Sequence, residues 1–109
     1  MKLPFDDILK QAKELQERFG RLQKELEETE VVGESGGGVV RITMTANYVT
    51  RKIQIDPSLV GDDRAMLEDL VAAAMNDATR RIERARQDKL GSATGGLPLP
   101  PGLSSLFGG

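Results

Sequence analysis

The chain has 109 residues, a formal net charge of −2, and neither cysteine nor histidine. Without these two residue types, disulfides, cysteine nucleophiles and the usual zinc site are excluded, and we expect no cofactor. The N-terminal segment becomes charged before a signal-peptide apolar region forms, and no stretch is long enough to span a membrane, so we expect a cytoplasmic protein. Because the charge balance is acidic, any nucleic-acid binding must come from a local basic surface.

The first segment predicts one long amphipathic helix, because its apolar residues recur at alternating steps of three and four. We call this apolar stripe the seam. It consists of Phe5, Ile8, Ala12, Leu15, Phe19, Leu22 and Leu26. Two interpretations stay open, since the seam can pack as core within its own subunit or pair with a second subunit. Gly20 weakens the helix by roughly 1 kcal/mol relative to alanine and can mark a bend or a close approach.

After Thr29 the apolar pattern changes to period two, which predicts three short strands. They are expected in the segments VVGESGGG, VVRITMT and YVTRKIQI. The glycine cluster at residues 36–38 is interpreted as the loop or bulge between the first two strands. Three strands cannot close a sheet alone, so one face needs a helix and the edges need cover, which a second subunit can provide.

A two-residue turn at Ala46 and Asn47 is expected between the second and third strands. That turn places Met44 opposite Val49, and Val40 opposite Ile53. Arg41 then faces Lys52, with Arg51 on the neighbouring face. Because like charges across a ladder are slightly destabilising, an anionic neighbour such as a glutamate of the first helix would relieve the pair.

A second helix is expected after Asp62 or Asp63, either of which can cap it. Its apolar stripe runs from Met66 to Ala85, and Gly91 is expected to end it. The following segment is rich in glycine and proline, so we predict one domain over residues 1–90 and a disordered tail over residues 91–109. The predicted fold class is α+β, an α-β-β-β-α subunit that forms a two-fold dimer because it offers more apolar surface than a small monomer buries.

Basic residues are concentrated near the end of the second helix and along the first. The second helix carries Arg80, Arg81, Arg84, Arg86 and Lys89, and the first carries Lys10, Lys13, Arg18, Arg21 and Lys24. Two interpretations of the second-helix group are compatible: cations near a helix C-terminus stabilise the macrodipole, and arginine also matches phosphate oxygens. On the first helix, glutamates interleave with the cations, which is typical of a solvated, salt-bridged surface.

The remaining motifs do not indicate catalysis. The string GESGGG lacks the Lys-Ser/Thr ending of a phosphate-binding loop and leads into a strand, so turn chemistry explains it. The carboxylate pairs Asp6/Asp7 and Asp62/Asp63 lie at predicted helix starts, where capping and the macrodipole explain them. The sequence shows no serine, lysine or tyrosine with an evident activating partner, so we expect no enzyme and no small-molecule substrate.

Several segments in order resemble one family. The run from GESGGGVVRITM through IDPSLV and DDRAMLEDLVAAAMNDATRR to GGLPLPPGL is similar to the YbaB/EbfC family of bacterial nucleoid-associated proteins. The resemblance implies an α-β-β-β-α subunit, a homodimer with tweezer-like helical arms, and binding of double-stranded DNA with relaxed sequence preference. It also implies a role in nucleoid organisation and gene expression.

Two functional hypotheses follow. In the first, the dimer binds DNA phosphates without reading bases, through Arg80, Arg81, Arg84, Arg86 and Lys89 together with Lys10, Lys13, Arg18 and Arg21. In the second, the seam and the apolar tail form a protein-interaction module for a replication, repair or chaperone partner. Low net basicity favours the second hypothesis, and the family resemblance favours the first.

Overall fold

The computed structural model describes residues 4–61 and 63–93. It contains α1 (Pro4–Glu28), β1 (Glu30–Ser35), β2 (Val40–Thr45), β3 (Thr50–Ile55), a 3-10 turn (Pro57–Leu59) and α2 (Arg64–Ala93). The predicted α+β class and the α-β-β-β-α order are therefore confirmed. The two-fold dimer stays a prediction, and most of the predicted tail lies outside the described residues.

Both helices begin where the sequence indicates. Asp6 and Asp7 lie in the first turn of α1, where carboxylates favour the macrodipole. Asp63 precedes α2, and its Oδ1 accepts a hydrogen bond from the Met66 backbone N–H at 2.9 Å, so this aspartate is the cap. The expected helix end at Gly91 is wrong, since α2 continues through that glycine to Ala93. Gly20 interrupts nothing, because α1 is continuous and no heavy atom lies near its added Cβ.

The three strands form an antiparallel sheet in the order β1-β2-β3, and α2 packs on one face of it. The main core joins that face of β2 to the buried stripe of α2. Its buried members are Val40, Ile42, Met44, Ala74, Ala78 and Ile82. Because α2 lies over β1 and β2, it leaves β3 as an edge strand whose six residues are all exposed.

The glycine cluster forms the β1–β2 turn as expected. Gly36, Gly37 and Gly38 have φ values of 59°, 75° and 98°, a left-handed region that side chains disfavour. The β2–β3 connection differs from the expected two-residue turn. Tyr48 donates its backbone N–H to Thr45 O at 3.0 Å and itself has a φ of 67°, so the turn is one residue longer.

This longer turn and a bulge between Thr43 and Met44 change the strand register. The predicted pairs are wrong: Val40 lies opposite Ile55, not Ile53, and Met44 lies opposite Thr50, not Val49. The inward and outward faces are nevertheless the predicted ones, because the pairing moved by an even number of residues over most of the ladder.

The predicted pair of like charges is also wrong. Arg41 lies opposite Gln54, whereas Lys52 lies opposite Thr43. The anionic neighbour of Arg41 comes from β1 and not from the first helix: Arg41 Nε lies 3.6 Å from Glu34 Oε2. Both side chains are substantially exposed, so this ion pair contributes little to stability.

The seam divides into two parts with different environments. Leu22 and Leu26 are buried in a second small cluster with Ala46, and Phe19 and Leu90 pack against it. The N-terminal part of the seam extends beyond this cluster, and its members Phe5, Ile8 and Leu15 are exposed. The core interpretation therefore holds for the C-terminal part of the seam. None of the described helices has the length and apolarity that crossing a membrane requires.

Candidate nucleic-acid interface

The basic group of α2 is divided between two sides of the helix. Residues four apart lie on one helical face, so Arg80 and Arg84 project together, and both are exposed. Arg86 and Lys89 instead point toward α1 and the β2–β3 turn, as their contacts show. The five cations that are adjacent in the sequence therefore do not form one continuous surface.

Arg80 and Arg81 share one carboxylate. Asp77 Oδ2 accepts a hydrogen bond from Arg81 Nε at 3.0 Å, and Asp77 Oδ1 lies 3.7 Å from Arg80 Nη2. The same Oδ2 accepts the backbone N–H of Glu34 at 2.9 Å. The Glu34 N–H and then the Arg81 side chain hold the pKa of Asp77 below its ordinary value, against the opposing effect of burial. Arg81 is thus held against α2, whereas the longer Arg80 contact and its greater exposure leave Arg80 more accessible.

Arg86 has a structural role in this chain. Its Nη1 donates a hydrogen bond to the carbonyl oxygen of Ala46 at 2.9 Å, and its guanidinium lies 5.5 Å from the centre of the Tyr48 ring. The first contact satisfies a carbonyl in the buried part of the β2–β3 turn, and the second is a cation–π geometry. Arg86 therefore connects α2 to the turn, although it was predicted as a phosphate contact.

Lys89 is the second cation that faces α1. Its Nζ lies 3.7 Å from Glu25 Oε2, which makes an ion pair between the two helices beside the small cluster of Leu22, Leu26 and Ala46. The pair is partly exposed, so its energetic value is small, but a carboxylate already neutralises this lysine.

The cations of α1 are all exposed, and none forms an ion pair with another described residue. Helical periodicity places most of them on the side opposite the seam, interrupted by Glu17. These outward-facing cations are Lys10, Lys13, Arg21 and Lys24. Arg18 lies beside the seam on its flank. This surface belongs to a helix whose apolar side is only partly covered.

β3 contributes two further cations that the predicted site did not include. Arg51 and Lys52 are exposed and lack an ion pair among residues 4–61 and 63–93. The sequence signal for them was present, since both follow the β2–β3 turn, but their expected role was limited to cross-strand repulsion. The register shows that they lie on an edge strand, accessible to a partner.

The described residues contain no group of three or more acidic side chains arranged to hold a metal ion. Among residues 4–61 and 63–93, only two carboxyl groups, Asp56 and Asp77, have a clearly displaced pKa, and both are lowered. Asp56 accepts hydrogen bonds from the Ser58 hydroxyl at 2.7 Å and the Ser58 backbone N–H at 2.9 Å, which explain its lowered pKa. Both carboxylates are thus fixed as ordinary structural acceptors.

Comparison with known proteins identifies the chain at two levels. Residues 1–97 match the model of the YbaB/EbfC DNA-binding family. The fold is similar to the crystal structure of an uncharacterized protein, HP0035, from Helicobacter pylori, with a TM-score of 0.69 and 23% sequence identity. That likeness covers 80% of this chain and 92% of the other, and at this identity it establishes the fold alone.

Proposed function

We propose that this chain, which belongs to the YbaB/EbfC family of DNA-binding, nucleoid-associated proteins, binds double-stranded DNA as a homodimer with relaxed sequence preference. The family match over residues 1–97 carries the proposal. In this reading the protein is not an enzyme, needs no cofactor, and acts in the cytoplasm on nucleoid organisation and gene expression.

The exposed cations support phosphate contacts without base reading. On α1, the outward-facing residues Lys10, Lys13 and Arg21, with Arg18 on the flank, present charge along a helix that can follow a DNA backbone. On α2, Arg84 is exposed and Arg80 is only loosely held by Asp77. We assign these six residues to the phosphates, and we give Arg81, Arg86 and Lys89 a secondary part because each already has an intramolecular partner.

An acidic protein binds DNA through such a surface only where the local cations are displayed more than once. A two-fold dimer displays the surface twice, which raises the local charge without changing the sequence. Two exposed apolar surfaces, the N-terminal part of the seam and one face of β3, support association with a second copy.

The test is a salt titration of binding by fluorescence anisotropy, with two unrelated duplexes of equal length. We expect similar affinities for both duplexes and a linear fall of log K with log salt. Arg80→Ala/Arg84→Ala should weaken binding to both equally and reduce the magnitude of the slope by about two, roughly one per lost phosphate contact. Arg64→Ala is the matched control, because Arg64 is exposed on α2 but pairs with Glu68 at 3.0 Å at the other end of the helix.

The outcomes separate the function from the site. An absence of binding to either duplex at low salt would refute DNA binding. Binding whose slope is unchanged in Arg80→Ala/Arg84→Ala would refute the α2 site, and the corresponding Lys10→Ala/Lys13→Ala variant examines α1 in the same way. Light scattering of the free protein decides whether it is a dimer.

The protein-interaction hypothesis retains one supporting observation, the exposed apolar residues Phe5, Ile8 and Leu15 on α1. Its other element, the apolar tail, lies outside the described residues. A Leu15→Asp variant that keeps full DNA binding but loses a protein partner would favour this second function.

A further inference from the structure

β3 presents two unpartnered features on the same edge of the sheet. Its inner face carries Ile53 and Ile55, which are 51% and 36% exposed although the equivalent face of β2 is buried. The difference arises because α2 covers β1 and β2 but does not extend over β3. An exposed strand with apolar side chains is a surface that proteins normally protect or pair.

The backbone of β3 is also free on its outer edge among the described residues. Asp56 donates its backbone N–H to Val39 O at 2.8 Å, so residue 56 points toward β2. In an antiparallel ladder alternate residues point the same way, and therefore Gln54 and Lys52 also face β2. Ile53 and Ile55 consequently direct their N–H and C=O groups outward, where a further strand can pair with them.

We propose that a second copy of this chain pairs with β3 in antiparallel orientation, about a two-fold axis at Gln54. This inference rests on the proposed homodimer and specifies its interface. Ile53 then lies opposite Ile55 of the partner subunit, and the pair is repeated by symmetry. The two sheets join into one six-stranded sheet, since each subunit contributes three strands.

Charge complementarity selects this register over its neighbours. An axis at Gln54 places Lys52 opposite Asp56 of the partner subunit, which pairs opposite charges on both sides of the axis. The Asp56 backbone is extended, with a φ of −60° and a ψ of 132°, so the residue can continue the ladder. A lysine on an edge strand ordinarily discourages pairing, but here it meets a carboxylate.

The neighbouring registers are less favourable. A shift of one residue turns the isoleucines of one subunit to the opposite face of the sheet. An axis at Lys52 places this lysine opposite its own copy, and an axis at Ile53 places Arg51 opposite Ile55 of the partner subunit. An axis at Ile55 brings Ile53 opposite Pro57 of the partner subunit, which has no N–H to donate.

The assembly has a consequence for DNA binding. A two-fold axis perpendicular to the joined sheet keeps the α2 helices of both subunits on one face. Ile53 and Ile55 of the two subunits form a continuous apolar strip between those helices. Both copies of the exposed Arg80 and Arg84 side chains therefore belong to helices on the same face of the dimer.

Engineered cysteines test the register directly, because the natural chain contains no cysteine. At an axis on Gln54, the two copies of residue 54 form a non-hydrogen-bonded pair with Cα atoms about 4.5 Å apart, within disulfide range. Gln54→Cys should therefore link the full-length dimer on mild oxidation. Lys52→Cys is the matched control, because its two copies are offset by four residues and lie roughly 13 Å apart.

We expect the Gln54→Cys link to form at least about tenfold faster than the Lys52→Cys link, with circular dichroism showing that both variants fold. A dimer by light scattering that shows no preference for position 54 would overturn this interface and leave the proposed homodimer intact. A monomer by light scattering at all concentrations would overturn the homodimer and the interface together.

Discussion

Gly33 of β1 packs directly against Ala78 of α2. A Cβ atom added to Gly33 would overlap the backbone nitrogen and the Cβ of Ala78, and also the carbonyl oxygen of Ala74. The absence of a side chain at this position is what lets α2 approach β1 so closely. The backbones of the strand and the helix cannot give way as a flexible side chain does.

Gly33→Ala should therefore destabilise the protein by about 1–3 kcal/mol, the usual cost of overpacking a core. Urea denaturation measures it. Gly20→Ala is the matched control, since nothing lies within contact distance of that position in α1. The control should stabilise the helix by up to about 1 kcal/mol, because alanine has the higher helix propensity. Equal effects of the two substitutions would contradict the close approach of β1 and α2.

Asp77 should give the stability of the protein a specific acid dependence. The Glu34 N–H, followed by Arg81, lowers the pKa of Asp77 from its ordinary value of 3.8. A group whose pKa is lower in the folded state stabilises the fold above its unfolded pKa, and this contribution is lost as the pH falls through the folded pKa. The contribution is therefore complete at neutral pH and declines below about pH 4.

Asp77→Asn tests this dependence, because the amide oxygen can still accept the Glu34 N–H while the charge is removed. We expect the variant to be less stable than the natural protein at pH 7 and the difference to shrink as the pH falls below about 4. Chemical denaturation at a series of pH values measures the difference between the two proteins. A difference that does not change with pH would mean that the charge of Asp77 does not stabilise the fold.

Arg86 and Arg84 lie on one helix but should respond to substitution in opposite ways. Arg86→Ala leaves the Ala46 carbonyl without its donor and should lower the free energy of unfolding by about 1–3 kcal/mol. Arg84→Ala, at an exposed position, should change stability by less than about 0.5 kcal/mol and instead reduce DNA affinity. Thermal denaturation and anisotropy titration on both variants check the pair. A loss of DNA binding in a fully stable Arg86→Ala variant would return Arg86 to the phosphate site.

The two parts of the seam should also differ in their response. Leu22 is 6% exposed whereas Leu15 is 48% exposed. Leu22→Ala should cost about 2–4 kcal/mol, because it opens a cavity between α1, Ala46 and Leu90. Leu15→Ala should cost less than about 1 kcal/mol at low protein concentration. A large cost at Leu15 that grows with protein concentration would show that the N-terminal part of the seam also pairs with a second copy.

Much of the fold follows from local patterns in the sequence. The three-four spacing from Phe5 to Leu26 is sufficient to indicate α1, and Asp63 marks the start of α2, because periodicity and capping act within a few residues of the chain. The glycines at 36–38 mark a turn for the same reason, since their positive φ values are a local requirement.

The β2–β3 register could not be predicted in the same way. A two-residue and a three-residue turn both suit the sequence around Asn47, and either one keeps the isoleucines and valines on the same face. The choice depends on the bulge at Thr43/Met44 and on the contacts of the turn with α2, where Arg86 binds the Ala46 carbonyl. These are contacts between residues about 40 positions apart in the chain.

The amino-acid sequence by itself determined the order of helices and strands, the amphipathic faces and the presence of cations on both helices, because these depend on neighbours along the chain. The tertiary structure decided how those features are used. Packing of α2 on β1 and β2 buried one half of the available apolar surface, left β3 at the edge, and turned Arg86 and Lys89 inward while Arg80 and Arg84 stayed in solvent. Burial and pairing depend on segments that are distant in sequence, so the local pattern cannot distinguish a structural arginine from one available to DNA.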